Sequence, residues 1–145
     1  MLKSVDINRC KLVREQEVEY DSVETCTDVV NLMHLLGYAD ACEEYFVLFC
    51  LNVRNEVIGI HELSHGNIAS TIVSIRSVFQ RAILNNAAAI ICSHVHPSGR
   101  TDPSQEDLDT TSRLVEAGHL MEIPLLDHII VSDSDYTSLR NEGLM

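Results

Sequence analysis

Apolar positions recur along this chain at two intervals, and the interval switches several times. From Leu12 to Tyr20 the residues alternate, and Glu15, Glu17, Glu19 and Asp21 share one parity. On a strand they would share a face, so the pattern predicts an edge strand whose charge discourages pairing. Val29, Leu32, Met33 and Leu36 then form a helical stripe, with Thr27 as expected N-cap and Gly37 as stop. The apolar run Glu43 to Asn52 is short enough for a buried strand. A turn around Asn55 returns Val57 to Leu63 as its hairpin partner.

The helical interval resumes after Ser74, an N-cap candidate, with Ile75, Val78, Phe79, Ala82 and Ile83 on one face. Ala87 to His94 reads as a third core strand. Pro103 and Ser104 open a helix reaching about His119, and Ile123 to Asp133 forms a final long strand. Helices and strands interleave around an early hairpin. The expected fold is therefore α/β, a mixed β-sheet covered by helices.

At 145 residues, of which 46% are hydrophobic, the chain suits one domain with a core of its own. Residues 1–10 read as an N-terminal arm and 11–145 as the domain. No apolar run approaches the roughly 18 residues of a membrane span. The first twenty residues lack the apolar core of a signal peptide, so the expected location is cytoplasmic. Five cysteines without a C-x-x-C pair read as reduced thiols, with Cys50 and Cys92 in the core. A net charge of −12 with only two lysines argues against direct nucleic-acid binding, which is driven by phosphate neutralisation. The oligomeric state is not legible.

The candidate chemistry lies in Ser93 to Asp107, SHVHPSGRTDPSQED. His94 and His96 at a strand end point to the same side, where two imidazoles can grip one metal ion. Pro97 and Gly99 turn the chain away, and Asp107, in the first turn of the next helix, can swing back as a third ligand. Two histidines and a carboxylate leave a tetrahedral zinc one open position, the pattern of a catalytic rather than a structural site. Taken alone, Ser104 and Asp107 read as a capping box. His61, His65 and His128 could approach the site, and Asp127 or His128 could orient a ligand imidazole. His34 and His119 read as helix residues without a special role. A zinc deaminase would need H-x-E with P-C-x-x-C, which is missing.

The spacing H-x-H-x(7)-S-x(2)-D resembles the JAMM motif of MPN-plus metalloproteases. The segments LVREQEVEY, EYFVLFCLN, ELSHGNIASTIV, RAILNNAAAIICSHVHPSG, DPSQEDLDTT and LLDHIIV together resemble the RadC-like branch, from about Lys11 to the C-terminus. The resemblance implies the JAB/MPN metalloprotease architecture, which is cytidine deaminase-like. It also implies Zn²⁺ on His94, His96 and Asp107, and oxyanion stabilisation by Ser104. A general base is implied at Glu44, with its neighbour Glu43 and the hairpin residue Glu62 as competitors. The implied activity is hydrolysis of an amide or isopeptide bond in a peptide or protein substrate. The family name carries an association with DNA repair, so a non-catalytic zinc-binding module in repair or recombination is the alternative. Long RadC proteins carry a helix-hairpin-helix region ahead of this domain, and none is expected within these residues. The branch usually reads H-N-H where this chain has Val95. That position faces away from the metal side, so ligation is expected to survive, while a substrate contact made there would be lost.

Overall fold

The computed structural model of the chain describes residues 4–5, 11–20, 22–66 and 73–145. The arm expected over 1–10 lies almost wholly outside the described residues, as do Cys10 and Asp21. Helix α1 (Cys26–Leu35) leads into strands β1 (Glu44–Leu51) and β2 (Val57–Gly66). Helix α2 (Ile75–Leu84), strand β3 (Ala89–Val95), helix α3 (Gln105–Met121), and strands β4 (Leu125–Val131) and β5 (Tyr136–Ser138) follow. The strands make one sheet in the order β2-β1-β3-β4-β5. Only β3 and β4 are parallel, joined through α3; the β1–β2, β1–β3 and β4–β5 pairs are antiparallel. The expected mixed α/β sheet covered by helices is what forms. No helix among the described residues is long and apolar enough to cross a membrane.

Each face of the sheet has its own core. Val47, Phe49 and Leu51 of β1 pack with Val95, Ile129 and Val131 against Val29 and Met33 of α1. The alternate residues Phe46, Leu48 and Cys50 pack with Ile90, Cys92 and Leu125 against Val78, Phe79 and Ala82 of α2 and Leu114 of α3. Central strands buried on both faces must read as continuous apolar runs, which is why β1 and β3 do so. Burying a side chain such as Phe49 or Leu48 stabilises the fold by about 1.5–3 kcal/mol. Cys50 and Cys92 lie in the second core, and burial pushes the Cys50 thiol up to about 12, so it stays protonated.

Three local readings are corrected. Residues 11–20 form no strand and are largely exposed; the edge of the sheet on that side is β2, and Tyr20 hydroxyl meets its Val57 backbone at both N–H (2.7 Å) and C=O (3.0 Å). The N-cap of α1 is Thr25, not Thr27, because Asp28 at the third helical position accepts from the Thr25 N–H at 2.7 Å. The short strand β5 was not foreseen. Ser74 caps α2 as expected, accepting from the Ser77 N–H at 3.3 Å.

Helix α3 lies close over the start of β4. A Cβ at Gly118 would come within 2.7 Å of the Ile123 carbonyl oxygen and 3.3 Å of the Leu125 nitrogen, so only glycine permits this approach.

Candidate metal centre

The end of β3 delivers His94 onto the α2/α3 face, where its ring stacks on Phe46 with centroids 5.9 Å apart. His96 lies just past the strand end, its backbone N–H donating to the Val131 carbonyl of β4 at 3.1 Å. The chain then turns through Gly99, whose φ of +81° is the left-handed conformation that glycine adopts without cost, and the Gly99 N–H closes the turn on the His96 carbonyl at 3.1 Å. The His96 Nδ1 meets the Arg100 carbonyl at 2.9 Å. That carbonyl can only accept, so His96 carries its proton on Nδ1 and presents Nε2 inward.

Ser104 caps α3 and Asp107 stands at the third helical position. Ser104 Oγ accepts from the Asp107 N–H at 3.1 Å, and Asp107 Oδ2 accepts from the Ser104 N–H at 2.8 Å. The capping box therefore exists, and it aims the carboxylate at the histidines. Asp107 Oδ1 lies 3.1 Å from His94 Nε2, Oδ2 lies 3.3 Å from His96 Nε2, and the two Nε2 atoms are 2.8 Å apart. Capping and convergence on the histidines are one arrangement.

The donor set fits a zinc ion. Tetrahedral donors about 2.0–2.2 Å from zinc sit roughly 3.3 Å from one another, close to the three separations found. Two imidazole nitrogens packed against each other repel unless a proton or a cation stands between them. Although burial works to lower the His96 pKa, its contacts with Asp107 raise it overall. Burial likewise works to raise Asp107, and the two imidazoles outweigh it, so the carboxyl stays ionised far below its usual range.

A cavity of about 50 Å³ opens beside these groups, lined by Glu44, Phe46, His94, Glu106, Asp107 and Thr110 among others. Glu44, the first residue of β1, shares the parity of Phe46 and so the face of His94. Glu62 is on the other face: its Oε2 accepts from the Tyr38 hydroxyl at 3.0 Å, Tyr38 packs on the α1-side core, and its Oε1 lies 2.8 Å from His65 Nδ1. Ser104 is exposed at the helix end and does not line the cavity.

Residues 23–144 match the family described as RadC-like JAB domain. The chain belongs to that family. It is 40% identical over 141 residues to the UPF0758 protein TTE0897 of Caldanaerobacter subterraneus subsp. tengcongensis, an alignment covering 97% of this chain and 59% of the relative. A UPF0758 protein of Salinibacter ruber is 44% identical over 132 residues, covering 91% of this chain and 56% of that protein. One from Alkaliphilus metalliredigens is 40% identical over 146 residues, covering all of this chain and 62% of the relative. The chain thus spans less than two thirds of these relatives.

Beneath the candidate metal centre of this RadC-like JAB domain lie groups that the motif does not include. His128 on β4 is fully buried, and its Nε2 is 2.8 Å from His94 Nδ1. It is therefore His128, rather than Asp127, that meets the His94 imidazole. Asp127 instead braces the C-terminal turn, accepting from the Ser138 hydroxyl at 2.6 Å and the Arg140 N–H at 3.1 Å. Burial depresses the His128 pKa to about 3, keeping it neutral. Thr111 of α3, which sequence reasoning did not single out, lies 2.6 Å from His128 Nδ1. The only signal was its place four residues after Asp107, one helical turn on. His61 meets Asn85, the C-cap of α2, instead, and His34 and His119 are exposed on their helices. Val95 is fully buried in the α1-side core, so the residue between the two histidines serves packing.

Proposed function

We propose that this RadC-like JAB domain is a zinc-dependent hydrolase of the JAMM type, cleaving an amide or isopeptide bond in a peptide or protein. The observation carrying this reading is the convergence of His94 Nε2, His96 Nε2 and an Asp107 carboxylate oxygen beside a cavity that a second carboxylate, Glu44, also lines. When bound, zinc supplies Lewis-acid activation of water and of the substrate carbonyl at neutral pH.

The chain's own residues supply the rest. Asp107, His94 and His96 would hold the ion. Glu44 takes a proton from the attacking water as its oxygen bonds to the carbonyl carbon, and returns that proton to the nitrogen as the C–N bond breaks. The Ser104 hydroxyl accepts in the capping box and keeps its own proton to donate; standing outside the cavity, it can serve only an oxyanion presented at the N-terminus of α3. The face of the sheet on which Glu44 stands favours it over Glu62 as the base.

The test is a set of variants assayed for zinc content and for cleavage of peptide and isopeptide panels. Wild type should hold about one zinc per chain, and His94→Ala should lose it. Glu44→Gln should keep zinc and abolish cleavage, while Glu62→Gln should do neither. Loss of cleavage in Glu62→Gln alone would assign the base to the other face. A cellular role that survives Glu44→Gln and His96→Ala would instead support the non-catalytic repair module.

A further inference from the structure

We infer that Thr111 and His128 are positioning residues forming a buried, proton-ordered relay that locks His94 in the tautomer able to ligate a metal. The inference rests on the proposed metal site and adds the device that prepares it.

The direction of each hydrogen bond follows from the one group that has no choice. The Asp107 backbone carbonyl can only accept, and Thr111 Oγ lies 2.7 Å from it, so the hydroxyl proton points there. With that single proton committed, Thr111 Oγ can only accept from His128 Nδ1, 2.6 Å away. The His128 ring is fully enclosed and its partners are a hydroxyl and another imidazole, so with its proton on Nδ1 its Nε2 accepts, and the 2.8 Å contact with His94 Nδ1 is donated by His94. The Nε2 lone pair of His94 is thereby left facing Asp107 and His96. The relay starts at the backbone of one ligand, Asp107, and ends on the ring of another, His94. Phe46 closes it off, stacking on His94 and meeting His128 edge-on with centroids 5.5 Å apart. Thr111 and His128 are 1% and 0% exposed, so solvent does not set the proton positions.

A reversal at one end propagates. Without an acceptor at position 111, His128 moves its proton to Nε2, donates to His94 Nδ1, and forces the His94 proton onto Nε2, where it blocks the metal. The conservative pair is therefore Thr111→Val, which removes the hydroxyl at nearly constant volume, and Thr111→Ser, which retains it.

Two measurements on the full 145-residue chain test this. Long-range nitrogen–proton correlation spectra of metal-free wild type, at mildly alkaline pH, should show His94 and His128 both carrying their proton on Nδ1. Affinity for Zn²⁺ and Co²⁺, measured by chelator competition, should fall roughly 10- to 100-fold in Thr111→Val, the range seen for groups behind a metal ligand. Thr111→Ser should bind within a few-fold of wild type. An Nε2–H tautomer at His94 in the wild type overturns the relay, as does unchanged affinity in Thr111→Val. The spectra need no metal, so a chain that binds no zinc defeats the proposed function while leaving the relay separately decided.

Discussion

Asp107 does two jobs with one carboxylate, and Asp107→Asn separates them. The amide oxygen can still accept from the Ser104 N–H, so most of the capping box survives. What disappears is the negative charge, near the positive end of α3 and beside His94 and His96. Loss of the charge at a helix N-terminus costs about 0.3–1 kcal/mol, and loss of the mostly buried imidazole contacts brings the total to about 1–2 kcal/mol. For a chain of this size each kcal/mol moves Tm by about 2–4 °C, so in chelator the variant should melt about 2–8 °C below wild type. Zinc at a thousand times its Kd stabilises by about 4.1 kcal/mol, a rise of roughly 8–16 °C. Removing a charged ligand should weaken binding by more than the roughly 100-fold reported for outer groups. At the same zinc concentration the variant then retains at most about 1.4 kcal/mol, a rise under roughly 6 °C. Differential scanning calorimetry with chelator and with excess zinc gives both numbers. Equal zinc-induced rises in the two proteins would leave Asp107 as a helix cap only.

Other outcomes follow from the same geometry. His128 has a folded pKa of about 3 against roughly 6.5 when unfolded. The unfolded chain therefore binds this proton first. The stability it confers is fully present above about pH 6.5 and is lost as pH falls toward 3, at up to about 1.4 kcal/mol per pH unit. Urea titrations in chelator should show that slope flattened in His128→Gln, and identical slopes would show that His128 is not held neutral. Gly118→Ala gains about 1 kcal/mol of helix propensity but drives a methyl group into the backbone before β4, where overpacking costs about 1–3 kcal/mol. Urea unfolding should show net destabilisation of up to about 2 kcal/mol, and a stabilised variant would mean that α3 and β4 are less closely apposed.

The grouping of His94, His96 and Asp107 was legible because it is local: 94, 96 and 107 span one strand end, one turn and one helical turn, so spacing alone implies convergence. His128 was nameable only as one of several histidines, since its contact with His94 arises from the parallel pairing of β3 with β4. Thr111 was silent because a threonine on a helix reveals no partner across a core. The false strand at 12–20 shows the limit of alternation. A period of two describes which faces would exist, while pairing needs a neighbour, and Tyr20 already meets the β2 edge at Val57. The misplaced α1 cap had a signal: Thr25 and Asp28 repeat the spacing of Ser104 and Asp107. Strand β5, at three residues, is too short for any periodicity to appear.

X-ray absorption at the zinc edge of the loaded chain reads the donors of His94, His96 and Asp107 and the open position at once. The expected spectrum has nitrogen and oxygen donors only, with two imidazoles, one carboxylate and one exchangeable solvent ligand. Sulfur among the donors, or four protein donors with no exchangeable position, would contradict the proposed site.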